Sequence, residues 1–146
     1  MKKVLLSLVL ASTLSLAGCA TQQNSFYGNF TEATQSQNYL VSDSISKMVQ
    51  LYPPAHTRLA LQHTPTDSFG LSLVSSLRSR GYAVAEHTEE AKGAELSANA
   101  FSYVVDAVDS NLDRVTINIG KKSISRAYSL TPAGEYSPAG DWSKKE

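Results

Sequence analysis

TRLALQHTPTDSFGLSLVSSLRSRGYAVAE, residues 57–86, carries the clearest structural punctuation in the chain. Thr57 to His63 alternates, with Leu59 and Leu61 on one face, and reads as a strand. Thr64-Pro65-Thr66-Asp67 then supplies a cap, a proline at the first helical position and an acid two residues later, a variant of the capping box. Gly70, Leu73, Val74 and Leu77 keep one helical face, widened by Phe69. Arg78 and Arg80 fall in the last turn, where cations complement the helix dipole, and Gly81 offers the left-handed stop. Tyr82 to Glu86 is a second short strand. Strand, helix and strand therefore follow one another with a tight exit.

Upstream, Ser42 can cap a first helix in which Ile45, Met48, Val49 and Tyr52 recur at helical spacing, and Pro53-Pro54 ends it. Downstream, residues 87–95 are a polar loop. Leu96 to Val108 is rich in β-formers around Phe101, Tyr103, Val104 and Val105. Residues 109–113 form a turn. Arg114 to Ile119 alternates, with Val115, Ile117 and Ile119 inward and Arg114, Thr116 and Asn118 outward. Gly120-Lys121 turns the chain into Ser123 to Leu130, where Ile124, Tyr128 and Leu130 share a face. Such half-polar strands suit an antiparallel meander with one wet face. The tail from Pro132 is irregular, with Trp142 lying back on the core. The expectation is an α+β fold: one small domain, residues 40–146, with two helices on a mostly antiparallel sheet of about five strands in the order α-β-α-β-β-β-β.

Ahead of this domain the composition changes. Ala20 to about Asn38 is mostly Thr, Gln, Asn, Ser and Gly, and residues 19–39 read as a flexible tether. As a coil, about twenty residues span roughly 25 Å, and fully extended roughly 70 Å. Phe26, Tyr27 and Phe30 do not fit a spacer. Three aromatics gain area when a segment folds onto a partner, which makes them docking candidates; the other reading is a tether packing on its own domain.

Residues 1–18 form a signal peptide. Lys2 and Lys3 make a positive start, and Val4 to Leu16 is apolar apart from Ser and Thr. Thirteen residues at 1.5 Å each give roughly 20 Å of helix, short of the roughly 30 Å hydrocarbon core. Leu16-Ala17-Gly18-Cys19 resembles a lipobox, the site where bacterial lipoproteins are acylated and cleaved. The thiol takes the diacylglycerol, and the small residues before it let the peptidase reach the backbone. Cys19 is the only cysteine of the 146 residues, so a disulfide framework and a thiolate zinc site are excluded. Two or more acyl chains, at about 0.8 kcal/mol per buried CH₂, make such an anchor effectively permanent. Ala20 stands where an aspartate would occur in retained lipoproteins, and this resemblance favours the outer membrane.

The chemistry of sites is sparse. Thirteen basic side chains balance thirteen acidic ones and the pI is near 6.8, which gives no basic stripe for nucleic acid. Removing residues 1–18, with their two lysines, leaves 11 − 13 = −2. There is no Gly-x-Ser-x-Gly, P-loop or GxGxxG. His56, His63 and His87 stand alone and read as surface histidines, with no metal ligand set. Glu89-Glu90 and Asp106/Asp109 read as solvated acids rather than an acid–base pair. Asn29-Phe30-Thr31 matches a glycosylation sequon but is discounted beside a bacterial lipobox. The expectation is no enzyme and no cofactor.

Leu51-Tyr52-Pro53-Pro54-Ala55-His56-Thr57-Arg58, Phe69-Gly70 and Leu77 to Val84 resemble the TrbH lipoproteins of conjugative plasmids. So do Ser125-Arg126-Ala127-Tyr128 and Pro138-Ala139-Gly140-Asp141-Trp142. The likeness covers most of residues 45–146. It implies a place in the mating-pair-formation apparatus, a type IV secretion system, among small lipoproteins that pin the core complex to the outer membrane. Implied partners are the outer membrane through the lipid, core-complex proteins and copies of the chain in a ring, with no direct nucleic-acid binding. Where such lipoproteins are nearly all tether, this chain adds a folded domain whose element order is compatible with the small N-terminal domain of secretins. Two other classes stay open: an envelope lipoprotein binding peptidoglycan or a small ligand, and a surface-exclusion lipoprotein.

Overall fold

A computed structural model describes residues 26–31, 37–88 and 98–146. In chain order the elements are β1 (Gly28–Asn29), α1 (Asn38–Leu51), one 3₁₀ turn (Pro54–His56), β2 (Arg58–Leu61), α2 (Ser68–Ser79) and β3 (Ala83–Ala85). Then come β4 (Asn99–Asp109), β5 (Leu112–Ile119), β6 (Lys122–Leu130), β7 (Tyr136–Pro138) and β8 (Ser143–Lys145). The fold is α+β, with two helices and one mixed sheet of eight strands among the described residues. None of these helices is long and apolar enough to cross a membrane.

The core of the sheet runs β3-β2-β4-β5-β6. β2 and β3 are parallel neighbours joined through α2, and β2 also pairs in parallel with the first part of β4. From β4 onward the strands form the expected antiparallel meander, with Phe101 opposite Ile119, Tyr103 opposite Ile117 and Ile117 opposite Ile124. Every one of these side chains is buried. They face α1 and α2, which supply Leu40, Ile45, Met48, Phe69, Leu73 and Leu77 to the same core. The other face of the meander carries Ser102, Thr116, Asn118 and Ser125, so the two-residue period separates core from polar face.

Eight strands stand where about five were expected. The additions are β1, β7 and β8, of two or three residues each, too short to show an alternation. β1 lies parallel to Val104–Val105 of β4, beyond the end of β2. β7 and β8 lie end to end along one edge of β6, on Tyr128–Leu130 and Ser123–Ser125 respectively. The tail expected to be irregular is thus a strap over the sheet's exposed edge, the usual protection against strand addition by another chain. Trp142, half-buried, packs edge-on to Tyr128 at 6.4 Å.

Both helices start elsewhere than expected. α1 begins at Asn38, because Leu40 and Val41 are buried and extend its apolar face one turn upstream of Ser42. The Ser42 hydroxyl donates to the Tyr39 carbonyl inside the helix instead of capping it. In α2 the cap is Asp67, whose Oδ1 accepts from the Gly70 N–H at 2.8 Å, and Thr64-Pro65 lie outside. Its far end closes as foreseen. Gly81, at φ +88°, sends its N–H to the Arg78 carbonyl, and the Tyr82 N–H reaches Leu77. This is the paired closure that a left-handed glycine permits.

Candidate functional site

Residues 26–31 and 37–39 fall in the stretch read as tether, and they belong to the fold. The Phe30 N–H donates to the Val105 carbonyl at 2.7 Å. Gly28 adopts φ +123°, open to glycine and strained for any other residue. Asn29 Nδ2 donates to Gln37 Oε1, Gln37 Nε2 to the Thr31 hydroxyl, and both Thr31 N–H and O–H to Asn29 Oδ1. The sequon triplet is therefore an Asx turn whose amide is engaged with the start of α1.

The three aromatics separate. Phe26 is 81% exposed and Phe30 55%, while Tyr27, at 38%, stacks on the His63 ring at 5.5 Å and 22°. His63 in turn lies 4.8 Å from the Tyr103 ring. Both of its ring nitrogens are buried and neither has a hydrogen-bond partner. The expected surface histidine is thus an aromatic spacer between the N-terminal segment and β4. Burial lowers its pKa from 6.5, Asp67 opposes that shift and His87 adds to it.

Asp67 joins this cluster to α2. One carboxylate oxygen caps the helix, and the other accepts from the Tyr103 hydroxyl at 2.5 Å. Burial and this bond raise the Tyr103 phenol far above its ordinary pKa, so it keeps the proton that it donates to Asp67. The approach depends on Gly70, where an added Cβ would lie 1.7 Å from the Tyr103 oxygen. The sequence offered Asp67 and Gly70 as helix features. Their link to Tyr103, 36 positions away, has no local signature.

A second cluster ties the C-terminal strap to α1. Arg126, inward-facing between Ile124 and Tyr128, donates through Nη1 to Asp43 Oδ2 at 2.9 Å. The Tyr128 hydroxyl donates to the same oxygen at 2.7 Å, and Arg126 Nε to the Gly140 carbonyl at 2.7 Å. The strings Ser125–Tyr128 and Pro138–Trp142, apart in sequence, meet here. Likewise the Tyr82 hydroxyl, its pKa pushed up to about 12 by burial, donates to the Tyr52 carbonyl at 2.7 Å. That bond joins the Leu51–Arg58 string to the one ending at Val84.

The remaining residues singled out by sequence lie apart. Asp106 accepts twice from Arg114, at 2.6 and 3.2 Å, on the polar face. Asp109 accepts from the Ser110 N–H. His56 is exposed on the 3₁₀ turn, and His87 Nδ1 lies 3.2 Å from the Leu61 carbonyl. Leu16, Ala17, Gly18, Cys19, Glu89 and Glu90 lie outside the described residues. Among the described residues, no three His, Cys, Asp or Glu side chains are grouped so as to hold a metal ion.

The family profile described as conjugal transfer protein TrbH matches residues 21–146. No curated protein and no solved structure matches the chain.

Proposed function

The chain belongs to the TrbH family of conjugal transfer proteins, and from that premise we propose that it is an outer-membrane lipoprotein with a structural role in a conjugative type IV secretion apparatus. Acyl chains on Cys19 hold one end in the bilayer, and the domain stands in the periplasm as a peripheral layer of the core complex. The role is assembly rather than catalysis. Copies around a symmetric core multiply weak contacts into a stable attachment.

The observation that carries this reading is the pair Phe26 and Phe30. They are the exposed rings of a segment whose intervening residues are fixed to β4, so they are presented in defined positions at low entropic cost for binding. A monomer gains nothing from two such rings in water, while a core protein with an apolar groove gains both. Seating this segment also shortens the leash. Six residues lie between Cys19 and Phe26, seven Cα steps, so the domain lies within about 25 Å of its lipid even at full extension.

Affinity purification from membranes tests the reading. Wild-type protein is expected to bring a larger secretion-channel protein with it, and Phe26→Ser with Phe30→Ser to lose that protein. Co-purification at full yield by the double variant would remove the docking role.

A further inference from the structure

His63 occupies the point where the N-terminal segment meets the sheet, and its chemistry there is unusual. The ring stacks on Tyr27 and lies 4.8 Å from the Tyr103 ring, tilted 52° to it, and both nitrogens are shut away from water without a partner. Four groups that titrate face it from the surrounding elements: Tyr27 from β1's segment, Asp67 from the head of α2, His87 from beyond β3 and Tyr103 from β4. Asp67 is the only anion among them. Its two oxygens are already engaged, by the Gly70 N–H and by the Tyr103 hydroxyl.

A neutral imidazole in this seat forgoes one donor and one acceptor bond, but it buries no net charge. An imidazolium carries two strong N–H donors and a net charge. Stacking on phenol rings offsets part of its desolvation, but nothing in the seat accepts its protons. To be satisfied it must swing out to water, or draw Asp67 away from Tyr103 and strand a buried hydroxyl. Swinging out breaks the stack with Tyr27, and drawing Asp67 away gives up its bond to Tyr103.

We propose that His63 is a proton-operated latch: neutral, it holds the segment bearing Phe26 and Phe30 on the edge of β4, and protonated, it lets that segment go. The sign follows from burial. A histidine whose folded pKa lies below its unfolded 6.5 contributes its full stabilisation above 6.5 and loses it as pH falls through the range beneath. Acidification therefore frees the segment, restores the full length of tether and disperses the two exposed rings. The latch holds whatever partner those rings take, so it can fail or stand independently of the secretion-channel assignment.

Hydrogen exchange on the intact protein in detergent tests it, comparing about pH 7.5 with about pH 5 after correction for intrinsic exchange rates. For wild type, protection of residues 26–31 is expected to fall by about threefold or more at the lower pH, with β5 unchanged. His63→Phe keeps a ring in the stack and removes the proton, and it is expected to retain protection at both pH values. An independent readout is the titration of the His63 ring by NMR, which is expected to move up towards 6.5 in Tyr27→Ala. Wild-type protection that ignores pH, an equal loss in His63→Phe, or a His63 titration unchanged by removing Tyr27 would each overturn the latch.

Discussion

At position 70 a missing methyl group sets the distance between α2 and the sheet. Gly70→Ala would drive a carbon into the Tyr103 hydroxyl, and the expected cost is about 1–3 kcal/mol, the range for overpacking a filled core. Urea denaturation measures it. Asp67→Ala removes two things together, a helix cap worth about 1 kcal/mol and the acceptor of a buried phenol worth about 1–3 kcal/mol. Its midpoint is expected to fall further than that of Tyr103→Phe, which leaves the cap intact; equal effects would deny the carboxylate its double role. The sequence exposed half of this site. An acid beside a run of helical apolar residues marks a helix start, but Thr64, Thr66 and Asp67 offer competing frames. Asp67 wins because Phe69 and Gly70 must face Tyr103, a condition set by β4. His63 was illegible for a related reason: a lone histidine at a strand end reads as exposed unless its covering rings, Tyr27 and Tyr103, are known to converge.

Among the elements, those with long periodic patterns were legible. The closure of α2 at Gly81, the alternation of β5 over 114–119 and the β4-β5-β6 order all stand where local chemistry put them. The turn expected over 109–113 tightens to 110–111, because Asp109 pairs with Leu112 and Asp113 with Ala107. What escaped were the pieces held by tertiary contacts alone. β1, β7 and β8 carry no alternation of their own, and the polar character of residues 20–38 concealed two residues that complete the edge of β4. Arg126 escaped too: parity places it on the inward face with Ile124 and Tyr128, but a cation there reads as a break in the pattern unless an acid on another element meets it. Asp43 is that acid, and the pair is mostly sheltered, with side-chain exposures of 17% and 21%. Asp43→Ala strands Arg126 and the Tyr128 hydroxyl together. The expected loss is about 1–3 kcal/mol, as for a buried donor left without its acceptor. Faster hydrogen exchange in 136–145 should accompany it, since Arg126 also holds Gly140. A variant of unchanged stability and unchanged exchange would show the strap to be held by its strand pairing alone.

For the molecule as a whole, the polar face of the meander and the strapped outer edge of β6 leave Phe26 and Phe30 as prominent exposed rings beside the tether. Phe26→Ser with Phe30→Ser is expected to stay within about 0.5 kcal/mol of wild type, as surface substitutions do, while losing the core-complex partner. Adding Tyr27→Ser should lower stability as well, because that ring covers His63. A melt of the double variant lowered as far as the triple would mean that all three rings serve the fold. Position 19 carries the larger claim. Cys19→Ser is expected to release the protein from membranes and lower the frequency of DNA transfer; transfer at the wild-type level by the soluble variant would refute the anchoring role. The most direct measurement is the intact mass of the protein purified from cell membranes. The account predicts a chain starting at Cys19 with fatty acyl groups on that residue. A free thiol at Cys19, or a chain that keeps residues 1–18, would contradict it.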